Sequence, residues 1–252
     1  MGVFRFKKFD VANERSAMKV NTDGVLLGAA MTVRQTDRRL LDIGTGTGTI
    51  ALMAAQRLSG SDLPLERSIS TIRRIDAIDI DEASASEASA NFRTSSWSDL
   101  LHAHNLSLEA FEESMDREDR FDLIFSNPPY FEDSFQAPLE RRNNARHTAA
   151  TGLSYREILE FSQRYLSDEG RVAMVLPADQ ETHLARHARM CGLHMFRILR
   201  VRTVPRKAPV RMIAEFSRAR VSEIREEMLT IQNEGKYTQE YLSLMHDFYL
   251  FA

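Results

Sequence analysis

Leu40-Leu41-Asp42-Ile43-Gly44-Thr45-Gly46-Thr47-Gly48 sets the fold of this chain. Leu40 to Ile43 is a short buried strand, the alternating glycines make a turn, and Ile50 to Leu58 carries the apolar spacing of a helix. Strand, glycine turn and helix are the opening unit of a doubly wound sheet. Glycine lets the backbone turn tightly and approach a ligand with no Cβ in the way. The dinucleotide fingerprint G-x-G-x-x-G would need glycine at 49, where Thr49 stands.

The pattern repeats outward from there. Ile75 to Asp81 is a second strand and Glu82 to Phe92, rich in alanine, its crossover helix. Leu100 to Leu108 is a weaker strand interrupted by His102 and His104, and Phe121 to Phe125 a buried one. Ser154 and Glu157 form a capping box that opens a helix to Leu166, and Val172 to Leu176 is the fifth strand. Phe196 to Val204 and Arg211 to Phe216 are joined by Pro205-Arg206-Lys207-Ala208-Pro209, too short for a crossover, so these two strands are antiparallel. The expected fold is α/β: a doubly wound, mostly parallel seven-stranded sheet with an antiparallel closing hairpin. One domain spans 1–252, with a core at about 38–220, an amino-terminal segment 1–37 and a tail 221–252.

Composition bounds the function. Apolar content of 43% and charged content of 27% describe an ordinary globular chain. The single cysteine, Cys191, excludes an internal disulfide and fits a reducing, cytoplasmic setting. No signal-like apolar segment opens the chain and no run reaches membrane-spanning length, so no membrane partner is expected. His102 and His104 lack a cysteine or carboxylate at ligand spacing, so no metal is expected. A net charge of −3 confines any nucleic-acid contact to a local patch.

The chemistry is concentrated at Ser126-Asn127-Pro128-Pro129-Tyr130. Neither proline can donate to a sheet ladder, so the chain leaves the sheet at Asn127. Asn127 then stands at the carboxyl end of a strand, where open α/β sheets bind ligands. The Asn127 amide oxygen and the Pro128 carbonyl can each accept one hydrogen of a planar NH2 group. Tyr130 adds an aromatic ring just beyond the two prolines. An acid at the tip of the second strand is placed to hold ribose hydroxyls: Asp79 is the choice, with Asp81 read as a helix N-cap. Thr22 or Asp23 can cap a helix whose apolar face is Val25, Leu26, Ala29 and Ala30. The densest basic group is Arg200, Arg202, Arg206, Lys207 and Arg211; Arg146 lies on a polar loop nearer Asn127.

Asp42 followed by G-x-G-x-G resembles the S-adenosylmethionine loop of class I methyltransferases, and Asn-Pro-Pro-Tyr resembles the catalytic motif of those acting on a planar nitrogen. The whole series recurs in one order: Phe4-Arg5-Phe6-Lys7, Lys19-Val20, Thr22-Asp23-Gly24-Val25-Leu26-Leu27-Gly28, the glycine loop, Asn127-Pro128-Pro129-Tyr130-Phe131 and the closing Phe248-Tyr249-Leu250. The chain resembles the bacterial tRNA(Val) (adenine-37-N6)-methyltransferase family over essentially its full length. That resemblance implies S-adenosylmethionine as cofactor and tRNA as partner. It implies cofactor contacts from Thr22, Asp23 and Gly24 at the methionine end, from Asp42, Gly44, Gly46 and Gly48, from Asp79, from Ser107 beside the adenine, and from Asn127. Catalytic roles fall to Asn127, Pro128 and Tyr130, and RNA contacts to Arg146, Arg200, Arg202, Arg206, Lys207 and Arg211. Ser107 stands where this class often carries an acid beside the cofactor's adenine, which departs from the pattern. Release-factor N5-glutamine methyltransferases share the tetrapeptide but carry a helical domain ahead of the glycine loop, and only about 40 residues precede it here. A non-catalytic RNA-binding protein on the same scaffold would not require an intact Asn127. Oligomeric state is open, with a monomer plausible.

Overall fold

The structure is a computed structural model that describes residues 2–16, 18–59, 73–129 and 153–252. An amino-terminal hairpin, β1 (Val3–Arg5) and β2 (Asp10–Ala12), leads into helix α1 (Thr22–Ala30). The doubly wound part follows: β3 (Arg39–Ile43), α2 (Thr49–Ser59), β4 (Arg74–Asp79), α3 (Glu82–Thr94), β5 (Leu101–Asn105), α4 (Leu108–Glu113) and β6 (Phe121–Ser126). Then come α5 (Tyr155–Tyr165), β7 (Leu166–Pro177), α6 (Glu181–Met190), β8 (His194–Arg202), β9 (Arg211–Ser217) and β10 (Arg225–Thr230). A two-stranded ribbon, β11 (Gln232–Asn233) and β12 (Lys236–Tyr237), and helix α7 (Gln239–Met245) close the chain.

The main sheet runs β10-β8-β9-β7-β6-β3-β4-β5. Only the β7/β9 and β8/β9 pairs are antiparallel, which makes β9 the single reversed strand. Consecutive residues of the inner strands point to opposite faces, and both faces are apolar. Leu40, Leu123 and Phe125 pack on the side of α1 and α2, while Leu41, Ile124 and Met174 pack on the side of α5 and α6. A sheet covered on both faces reads as unbroken apolar runs, and that made its strands legible.

The sheet has eight strands rather than seven. The eighth, β10, pairs in parallel with β8 and comes from the tail, beyond the expected core limit near 220. Its sequence, Arg-Glu-Glu-Met-Leu-Thr, buries only Leu229 and carries no strand signature. Its place is set instead by the ladder and by ion pairs from β8, Arg197 to Glu227 and Arg200 to Glu226.

The position of the site follows from the order of the strands. The chain builds outward from β3 to β4 to β5, then returns to place β6 on the other side of β3. That reversal opens a crevice at the carboxyl ends of β3 and β6, the usual ligand position in such sheets.

Candidate active site

The glycine turn forms one wall of the crevice. Backbone N–H groups of Gly44 and Thr45 both donate to the Ile78 carbonyl, which ties the turn to the end of β4. Gly46, at φ +56°, has the backbone conformation that side chains avoid, and its N–H donates to Asp79 Oδ2 at 2.8 Å. The other Asp79 oxygen accepts the Asp81 N–H at 2.9 Å, and Asp81 caps α3 through Ser84, as expected. Burial raises the Asp79 carboxyl above its ordinary pKa, against the pull of these two N–H groups. Gly48 answers to packing: a Cβ there would lie 2.5 Å from the Phe92 ring of α3.

Asp42 lies beneath the turn and is wholly buried. Its Oδ2 accepts the Thr45 hydroxyl at 2.7 Å, while Oδ1 has no hydrogen-bond partner among the described residues. Burial pushes its pKa up to about 7.

The facing wall is the end of β6. The Ser126 hydroxyl donates to the Ile43 carbonyl at 2.6 Å and locks the two strand ends together. Asn127 and Pro128, the next two residues, are buried. The Asn127 amide nitrogen is 3.5 Å from Met18 Sδ. Tyr130 and Arg146 lie outside the described residues.

The segment before α1 closes the crevice from above, and α3 holds it there through a stripe of polar side chains that sequence reading missed. Glu87 Oε1 accepts the N–H groups of Glu14 and Arg15 at 2.8 and 2.9 Å, and Oε2 accepts that of Ser16 at 2.9 Å. Burial raises the Glu87 carboxyl, but these donors outweigh it and hold it below its ordinary pKa. Asn91 exchanges hydrogen bonds with the Ala12 backbone and donates to the Thr47 carbonyl of the glycine turn at 2.9 Å. Ser84 donates to the Ser16 hydroxyl at 2.9 Å. The available signal was Ser84, Glu87 and Asn91 at helical spacing on the face of α3 that buries Ala88 and Phe92.

Other expected residues have different occupations. Asn21, rather than Thr22 or Asp23, caps α1 by accepting the Gly24 N–H at 2.9 Å. Gly24 lines the crevice beside Asn21 and Lys19. Thr22 is exposed, and the Asp23 carboxylate accepts Arg211 Nε at 2.7 Å. Ser107 caps α4, its hydroxyl accepting the Ala110 N–H at 3.1 Å. Arg200, expected to meet phosphate, is clamped by both oxygens of Glu181 and by Glu226. Arg211 is likewise engaged, with Asp23. Arg202 donates to the Thr230 hydroxyl and the Pro205 carbonyl. Arg206 and Lys207 are exposed at the tip of the β8–β9 loop.

The methyltransferase small domain family matches residues 2–192. Over 249 residues the chain is 38% identical to the tRNA1(Val) (adenine(37)-N6)-methyltransferase of Flavobacterium johnsoniae, covering 98% of this chain and 99% of that one. The enzyme of the same name from Parabacteroides distasonis is 39% identical over 248 residues, 98% of this chain and 97% of that one. The chain belongs to the tRNA1(Val) (adenine(37)-N6)-methyltransferase family. Among solved structures, a predicted O-methyltransferase from Agrobacterium tumefaciens superposes with a TM-score of 0.60 at 16% identity, covering 90% of this chain and 96% of that one. An O-methyltransferase from Bacillus cereus in complex with SAH does so with a TM-score of 0.50 at 15% identity, covering 81% and 84%.

For a member of this family, the residues in the crevice suit S-adenosylmethionine. Asp42 Oδ1 is a buried acceptor with no hydrogen-bond partner among the described residues, a costly arrangement unless a donor comes to it. Asp79 presents a carboxylate at the rim. The crevice between the walls is lined by Met18, Lys19, Asn21, Gly24, the glycine turn and Asn127.

Proposed function

We propose that this protein transfers the methyl group of S-adenosylmethionine to N6 of adenine 37 in the anticodon loop of valine tRNA. The observation that carries the reading is Asn127-Pro128, buried at the switch point of the sheet and bound through Ser126 to the strand that leads into the glycine turn. The lone pair of an adenine amine is delocalised into the ring, so the nitrogen is a poor nucleophile. Two fixed acceptors, the Asn127 side-chain oxygen and the Pro128 carbonyl, take one amine hydrogen each. They draw the nitrogen toward a tetrahedral shape and aim its lone pair. Positioning and preorganised electrostatics suffice, with no strong base. S-adenosylmethionine supplies an electrophilic methyl group when bound. Asp79 holds its ribose hydroxyls in this reading, Asp42 lies under its methionine end, and Glu87 and Asn91 keep segment 12–16 over the crevice.

An unpaired loop base is the cheapest to extrude, which suits a small protein with little surface for opening a duplex. Tyr130 stacks on the extruded base, and the product is N6-methyladenosine. The enzyme acts in the cytoplasm. Incubation with unmodified valine tRNA transcript and labelled cofactor, followed by nucleoside analysis, tests this. Label at N6 of a loop adenine, lost when that adenine becomes guanine, is the expected result. Label on a release-factor glutamine with none on tRNA would refute it.

A further inference from the structure

The end of the chain carries a stack of aromatic rings that the crevice does not use. Glu234 and Gly235 have φ of +51° and +76°, the two-residue turn that matches the twist of a β-hairpin. The turn closes the β11–β12 ribbon, and the Thr238 N–H and hydroxyl fasten the ribbon to the Ile231 and Thr230 carbonyls. Tyr237 is thereby fixed with its ring centroid 5.0 Å from Tyr241 and 5.2 Å from Phe251, the latter nearly parallel at 13°. The stack is rooted inward: Tyr241 is buried, and Phe251 continues to Tyr249, which packs against Phe4 and Phe6 of the amino-terminal hairpin. Its outer members remain in water, Tyr237 at 42% and Phe251 at 56% exposure.

Tyr237 also lines an open cleft of about 450 Å³ with Pro205, Thr230, Asn233, Thr238, Gln239 and the carboxylate-bearing Glu240. That cleft lies on the same edge of the sheet as the active site. Strands β6, β8 and β10 run in one direction, so Ser126, Arg202 and Thr230 all finish at the carboxyl edge. Pro205 begins the exposed Arg206-Lys207 tip, Arg202 holds that tip by bonding the Pro205 carbonyl, and Lys236 precedes Tyr237 on the ribbon. The exposed cations Arg206, Lys207 and Lys236 outnumber the exposed carboxylates Glu234 and Glu240 around these rings, and rings beside cations are the pairing that single-stranded nucleic acid selects, with bases on the rings and phosphates on the cations. On a chain of net charge −3, such a local patch is where a polyanion finds purchase.

We propose that the cleft at Tyr237, with the Phe251 ring packed beside it, is a second RNA-binding site, which stacks an unpaired nucleotide of the tRNA substrate other than the one being methylated. Arg206 and Lys207 hold the phosphates beside it, and the amides of Asn233 and Gln239 face the base edge. The proposal rests on the tRNA reading above and adds to it a place where the loop is gripped.

The experiment uses the full chain with Tyr237→Leu and Phe251→Leu, singly and together, since leucine keeps the apolar contact and removes the ring face. S-adenosylmethionine affinity and Tm serve as folding controls and should stay at wild-type values. The KM for valine tRNA is expected to rise about tenfold for each lost stack. With 2-aminopurine placed at unpaired positions of the anticodon loop, wild-type protein should quench one position other than the target, and Tyr237→Leu should abolish that quenching. Unchanged KM in the double variant, or identical quenching, overturns the proposal. If wild-type protein methylates no tRNA, the tRNA reading fails by itself. The cleft is then judged by anisotropy with an unstructured adenine-rich RNA: weaker binding by the double variant supports it, and equal binding overturns it.

Discussion

The carboxyl edge of the sheet has two sides that handle charge in opposite ways. On the crevice side, Asp42, Glu87 and Asn127 are buried, and the carboxylates of Asp79 and Glu87 are oriented by backbone N–H groups. Beyond β9, charged groups either neutralise one another, as Arg200 does with Glu181 and Glu226, or stand in water, as Arg206 and Lys207 do. A small rigid cofactor rewards preorganisation, because every donor fixed in advance lowers the entropy cost of binding. A long flexible polyanion rewards mobile cations that settle on phosphates as it arrives. Substitutions on the first side should therefore be severe and specific, and those on the second mild and dependent on salt.

The largest effect is expected at Asn127. Asn127→Ala should lower kcat by about 10²–10³, the usual loss for one preorganised polar partner of a transition state. Calorimetry should find its S-adenosylmethionine affinity near wild type. Folded Asn127→Ala protein that still methylates tRNA at a normal rate would sink the two-acceptor mechanism. Asp79→Ala comes next and should act on binding. If Asp79 holds the ribose hydroxyls as proposed, its removal should weaken cofactor affinity at least about tenfold, since bonds to a charged group contribute roughly 1.5–3 kcal/mol each. An unaltered dissociation constant would take the ribose contact away from Asp79.

The two sides also differ in how well the sequence exposes them. The glycine turn, Asp79 and Asn127 were legible because a doubly wound sheet delivers them by position: each sits where a strand ends, and strand ends show as apolar runs meeting glycine or proline. Nothing comparable marks an arginine. Arg200 and Arg211 look like Arg206 and Lys207 in sequence, yet Glu181 and Asp23 reach the first two from other elements. Strand β10 stayed hidden because an edge strand with one buried residue has almost no period to detect. Glu87 and Asn91 were missed because polar residues on an alanine-rich helix usually face water, whereas here they meet a returning segment of chain.

Glu87→Gln asks whether that segment belongs functionally to the crevice. A carboxamide has one acceptor oxygen where three N–H groups now bond, so at least one donor turns toward an NH2 group. An unsatisfied buried donor costs about 1–3 kcal/mol. Cofactor affinity should fall several-fold in calorimetry, with proteolysis near residues 12–20 accelerated in the same variant. Wild-type affinity together with faster proteolysis would leave the segment as cover without influence on the site.

Asp42 gives the crevice a pH signature. Its pKa in the folded chain is raised to about 7 by burial, so the folded state holds this proton more tightly than the unfolded state does. Its contribution to stability is greatest below the ordinary carboxylate pKa of about 3.9, declines as pH rises, and is constant above about 7. Asp42→Asn lacks that decline. The Tm of the variant minus that of wild type should grow from pH 4.5 to 7 and then level off. A difference that stays flat over this interval would show that Asp42 ionises without a burial cost.

The smallest effect separates the two kinds of arginine on the outer side. Each phosphate contact on single-stranded RNA contributes about 0.7 to the slope of log affinity against log salt. Arg206→Ala with Lys207→Ala removes two exposed cations, so the slope should flatten by roughly 1.4, with Tm untouched. Arg200→Ala removes the same formal charge but strands Glu181 and Glu226, two carboxylates that now share it. Its slope should match wild type, and its cost should appear as a lower Tm that salt partly restores by screening the stranded pair. Filter binding of valine tRNA from 50 to 300 mM salt, with parallel melting curves, reads both quantities. If Arg200→Ala flattens the slope as much as the loop variant does, the ion pairs must open when RNA arrives, and the contrast between a paired and a free basic surface collapses.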